Sequence, residues 1–121
     1  MINEKVKVAY GTEHMEALIE RAQKEANFLR PLLEEQEAIV RETYLEMADR
    51  NKIKDLAVRA KLLEEDKFII RVAEANIEKI TKRLEQLDGA INGLEASVEN
   101  LRKMNTQEAL RCAKKAASFF R

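Results

Sequence analysis

The sequence is poor in everything that interrupts a helix. Among 121 residues there are one proline and three glycines. Turn-rich β architectures need far more punctuation than this. Cys112 is the only cysteine, so no internal disulfide can form, and a reducing compartment such as the cytoplasm is the expected setting. His14 is the only histidine. That removes the two Glu-x-x-His motifs a di-iron bundle requires. No apolar run approaches the roughly 20 residues of a membrane span, Phe68-Ile69-Ile70 being typical of the longest. The opening Met1-Ile2-Asn3-Glu4-Lys5 shows no signal-peptide pattern. Glycine-rich phosphate loops, Ser/His/Asp sets and zinc-ligand spacings are missing as well.

What remains is helix-forming material. Hydrophobic residues make up 45% and charged residues 36% of the chain, enough apolar content for a core. Net charge is zero but unevenly spread. Residues 1–50 carry 7 bases and 11 acids, residues 51–100 carry 9 and 10, and residues 101–121 carry 6 and 1. This balance disfavours bulk nucleic-acid binding and leaves a basic carboxy-terminal stretch.

Periodicity divides the chain. In residues 1–11, Val6, Val8 and Tyr10 alternate with Lys7 and Ala9, which suggests an extended or frayed arm closed by Gly11. Thr12 is then a plausible N-cap for a first helix over about 12–49. Its apolar seam reads Ile19, Ala22, Ala26, Leu29, Leu33, Gln36, Val40, Thr43 and Met47, in steps of three and four. Leu18, Phe28, Leu32, Ile39 and Tyr44 widen the seam, as suits a helix with two neighbours. Pro31 predicts a kink near residues 27–30, or else a new helix starting there. The polar interval Asp49-Arg50-Asn51-Lys52 is the next boundary.

A second helix is expected over about 52–88, with Ile53, Leu56, Ala60, Leu63, Lys67, Ile70, Ala73, Ile77, Ile80, Leu84 and Leu87 on its seam. Two steps of three around Lys67 imply a phase slip. Asp88-Gly89-Ala90-Ile91-Asn92-Gly93 can be read two ways. Gly89 can end the second helix while Asn92 and Glu95 cap a third over about 92–120. Alternatively the heptad alternation from Ile77 to Leu101 continues through it, which would favour a parallel dimer. The loop is the preferred reading. A further cap at Asn105 and Glu108 would break the last helix near residues 103–106. The expected fold is therefore all-α: an elongated antiparallel three-helix bundle with coiled-coil packing, kinked at Pro31.

No chemistry stands above this background. His14 lacks the residues that accompany a phosphotransfer histidine and reads as a solvent-facing side chain. Glu34, Glu35 and Glu37, like Glu64, Glu65 and Asp66, read as solvated helix faces. Cys112 has Arg111, Lys114 and Lys115 nearby but falls on the seam, where a small buried residue is expected. No enzyme, cofactor or metal is expected.

The expected function is that of a helical adaptor or assembly subunit binding another helical protein, itself included. Gln36, Lys67 and Asn105, with Met15 and Met47, weaken the seam in a way that sets register and partner choice. Arg111, Lys114, Lys115, Phe119 and Phe120 are the expected contacts on a basic amphipathic end. That end could instead pack on the acidic first helix, or lie weakly on anionic lipid. The alternatives for the whole chain are a parallel coiled-coil structural protein and a peripheral membrane protein.

Overall fold

A computed structural model describes residues 4–118 of the chain, with side chains described for residues 12–104, 106–108 and 111. It is all-helical over these residues. Two long helices pack together: α1, Glu4–Arg50, and α2, Leu56–Ser118.

The connection between them is chemically explicit. Lys52 N–H donates to the Asp49 carbonyl at 3.1 Å and Ile53 N–H to the Arg50 carbonyl at 3.0 Å, closing α1 with a turn. Asp55 then caps α2. Its Oδ1 accepts from the N–H groups of Ala57 at 3.0 Å and Val58 at 3.2 Å, and its carbonyl accepts from Arg59 N–H at 3.0 Å. These are the contacts of an N-cap residue, which satisfies donors that have no partner inside the helix.

The chain divides into two compact units, residues 25–86 and residues 1–24 with 87–121. In the 25–86 unit the helices run antiparallel. Arg50 meets Asp66, Gln36 meets Asn76, and Glu25 meets Arg83, so α2 numbers rise as α1 numbers fall. Its buried residues are Ala26, Thr43, Asp66, Ile70 and Ala73. Thr43 is accommodated because its hydroxyl donates to the Ile39 carbonyl at 2.7 Å, within its own helix. In the other unit Leu87 and Val98 are buried, and Arg102 pairs with Glu16.

The first-helix seam lies where its spacing placed it. Every member from Ile19 to Met47 is buried or half-buried. The second seam differs in one stretch. Leu56, Ala60 and Lys67 are exposed, whereas Arg59, Leu63 and Asp66 turn inward. With Asp66 in place of Lys67, steps of three and four run unbroken from Leu63 through Asp66 and Ile70 to Leu101, and there is no phase slip. The seam prediction passed over Asp66 because an aspartate is almost never fully buried without a partner.

Three expected boundaries do not form. Helix α2 passes through Gly89 and Gly93, neither of which takes a positive φ, so two helices stand where three were expected. Asn92 and Glu95 are exposed mid-helix residues, and the helix continues past Asn105 and Glu108. The reason is energetic. Two helical glycines cost about 2 kcal/mol together, less than an uninterrupted buried seam contributes at about 1.5–3 kcal/mol per large side chain. Residues 4–11 likewise belong to α1 and not to an extended arm, so Thr12 lies inside a helix and does not start one. A three-residue alternation is too short a signal to outweigh helical continuation. Helix α1 also continues through Pro31 without a new start.

Candidate interaction surface

The heptad positions define two flanks of the 25–86 unit. Writing the inward residues as a and d, Leu33, Val40 and Met47 are a in α1, and Leu63, Ile70 and Ile77 are a in α2. Positions e and b then form one flank, and positions g and c the other.

The e/b flank is polar. Its shallow depression is lined by Tyr44, Glu64, Lys67, Arg71 and Glu74, with Met47 and Ile70 at its floor. Acids and bases are interspersed, as on an ordinary solvated helix surface.

The g/c flank carries apolar residues on both helices among its charged ones. On α1 it carries Phe28, Leu32 and Ile39. On α2 it carries Val58, Leu62, Ile69 and Val72, with Phe68 at the adjoining f position. Phe28 is 68%, Phe68 61%, Val72 45% and Ile69 42% exposed. A groove between the helices is lined here by Gln36, Ile39, Phe68, Ile69, Val72 and Asn76, above Ala73. Gln36 Oε1 accepts from Asn76 Nδ2 at 3.2 Å, placing one polar contact in an otherwise apolar trough. Single exposed hydrophobic residues are normal, whereas here several cluster around one groove.

Two charged contacts border this flank. Arg83 clamps Glu25 through Nε–Oε1 and Nη2–Oε2, both at 2.8 Å. This fork geometry lowers the Glu25 pKa and raises that of Arg83, chiefly through the hydrogen bonds themselves. Near the turn, the buried Asp66 carboxylate lies 3.5 Å from Arg50 Nε, and Arg50 Nη2 lies 3.8 Å from Glu46.

Arg111 lies in α2 with its side chain exposed, pairing with Glu108 at 3.5 Å. Lys114 and Lys115 lie in α2, but their side chains, like those of Cys112 and Asn105, are outside the described residues, and Phe119 and Phe120 lie wholly outside them. His14, Glu34, Glu35, Glu37, Glu64 and Glu65 are exposed, whereas Asp66, read with the last two as part of a solvated acidic face, is buried. The polar seam contact of Gln36 forms with Asn76, while Lys67 takes no part in the seam. Among the described residues no three metal-ligating side chains come together, and no helix is long and apolar enough to cross a membrane.

The g/c flank was visible in part. Phe28, Leu32 and Ile39 widen the first seam in the sequence. Their counterparts on α2 are harder to see, because Phe68 and Ile69 directly precede the seam residue Ile70 and Val72 directly precedes Ala73, so they merge with the seam in sequence. The chain matches no family model, no curated protein and no solved structure.

Proposed function

We propose that this is a non-catalytic helical interaction protein, an adaptor or assembly subunit whose 25–86 unit receives a helix of another helical surface on its g/c flank. The observation that carries this reading is the asymmetry of the two grooves: one is lined by Ile39, Phe68, Ile69 and Val72 with exposed Phe28 nearby, the other by interspersed acids and bases. Thin packing supports it. No large side chain among the described residues is fully buried, so a further helical layer would add substantial apolar burial. The three-helix arrangement expected from the width of the apolar face would then be completed by the partner, with coiled-coil packing against it. A bend of α1 at Pro31, where a backbone hydrogen bond is lost, would help the surface follow its partner.

The basic carboxy-terminal stretch forms a second contact in this reading, through Arg111, Lys114, Lys115, Phe119 and Phe120. Deleting residues 106–121 should weaken partner binding, and unchanged binding would remove the tail from the proposal. The parallel coiled-coil alternative is less well supported, because Leu87 and Val98 of its interchain seam are buried within one copy.

The test is site-specific photo-crosslinking in cells, with benzoylphenylalanine at position 28, 68 or 71. Adducts to a helical protein, a second copy included, are expected from positions 28 and 68 but not from 71. If positions 28 and 68 yield no adduct, the flank is not a docking surface and the reading fails.

A further inference from the structure

The rims of the apolar flank are charged in opposite senses. On the g, c and f positions of α1 within the 25–86 unit, the charged residues besides Glu25, which Arg83 clamps, are Glu35, Glu42, Glu46 and Asp49, all acidic, the last two also touching Arg50 and Lys52 of the same copy. On the same positions of α2, besides the clamped Arg83, they are Lys61, Lys79 and Lys82 against the single acid Glu65, with Lys82 also paired to Glu78 of its own helix at 3.0 Å. The surface therefore has an apolar centre, an acidic edge and a basic edge.

Such a surface is complementary to itself. We infer that its occupant is a second copy of this chain, packed flank to flank about a two-fold axis parallel to the helices. The inference rests on the docking role proposed above and supplies the partner. An isologous contact uses the same patch on both copies. Two two-fold arrangements bring the flanks face to face. An axis across the helices lays α1 on α1 of the other copy, setting acids against acids and lysines against lysines. An axis along the helices lays α1 on α2 of the other copy. Acidic rims then meet basic rims, and neighbouring helices run antiparallel. Like-charge juxtaposition disfavours the first arrangement and leaves the second.

The arrangement also fixes heights, because rotation about an axis parallel to the helices does not shift residues along it. The Gln36–Asn76 contact sets those heights within one copy. Glu35 lies one residue beyond Gln36 and Lys79 three residues beyond Asn76, in the same direction along the axis. At 1.5 Å per residue they differ by only about 3 Å in height. Both project from the outer c position, and both are exposed. Glu35 of each copy therefore faces Lys79 of the other, giving two equivalent ion pairs, while Phe68 is covered by α1 of the second copy.

Sedimentation equilibrium of the full chain should give twice the 14.0 kDa chain mass. A 14.0 kDa species persisting at about 100 μM would overturn the inference, while adducts to a different protein from position 68 would still sustain the docking role. Phe68→Glu should yield a monomer with undiminished helical circular dichroism, since Phe68 is exposed within one copy; a dimer that survives this change contradicts the inference. The orientation is tested by charge exchange. Glu35→Lys and Lys79→Glu should each weaken dimerisation by about fivefold to thirtyfold, from two exposed pairs converted to like charges. The double variant should restore it. If the double variant dimerises as poorly as the singles, Glu35 and Lys79 do not face each other and the axis is wrong.

Discussion

The buried carboxylate of Asp66 lies 3.5 Å from Nε of Arg50, the last residue of α1, so the end of the first helix supplies the counter-charge for the core of the second. Asp66 is only 3% exposed, whereas Arg50 keeps about a third of its side chain in solvent. The two ends of the pair therefore respond differently to mutation. Removing the arginine strands a desolvated charge, while removing both partners does not. Arg50→Leu should cost about 1–3 kcal/mol, toward the lower end because the arginine is partly hydrated. Adding Asp66→Leu should recover most of that loss. Urea unfolding of the two variants checks it, and a double variant as unstable as the single would show that the pairing is energetically irrelevant.

The glycines of α2 provide a second test. A Cβ added at Gly89 or Gly93 meets no atom within 4 Å, and neither residue takes a positive φ. Alanine at each position should therefore stabilise the protein by about 0.5–1 kcal/mol. Thermal melts of the two singles and the double would show rising midpoints. A fall on Gly89→Ala would indicate a left-handed cap and a loop at that site.

Pro31 is an exposed residue inside α1. Its ring nitrogen leaves the Asn27 carbonyl without the usual helical donor. Pro31→Ala restores that N–H at an outward-facing position, with an expected gain of about 1–3 kcal/mol. Amide hydrogen exchange across residues 25–35 would report the gain locally. Unchanged protection there would mean the proline does not weaken the helix.

The seam from Ile19 to Met47 was legible because steps of three and four between apolar residues directly record which face is covered. The turn at residues 51–55 was less so, since no glycine marks it, although Asp55 directly before Leu56 is an ordinary N-cap signal. Asp66 was hidden because its burial depends on Arg50, sixteen residues away, and no local pattern reports that pairing. The Gly89–Gly93 segment misled for the opposite reason. Its local turn signals are real, but tertiary burial of Leu87 and Val98 on either side outweighs them. The g/c flank was hard to read because Phe68, Ile69 and Val72 adjoin the seam residues Ile70 and Ala73, and a seam pattern does not by itself say which flank the second helix leaves uncovered.

Acid titration isolates the Glu25–Arg83 clamp. The two hydrogen bonds hold the Glu25 carboxylate below its ordinary pKa in the folded chain. A group depressed in this way favours folding above its unfolded pKa, and the contribution disappears as pH falls through the folded value. The pair is solvent-exposed, so the contribution is small and is screened by salt. Glu25→Gln should therefore lower stability slightly at neutral pH. The difference from the unaltered protein should shrink to nothing as the carboxyl protonates below the ordinary glutamate range. Denaturant midpoints of both proteins, measured from neutral to acid pH at low salt, would converge on the acid side. Parallel curves that never meet would show that the Arg83 contact does not stabilise the charged form of Glu25.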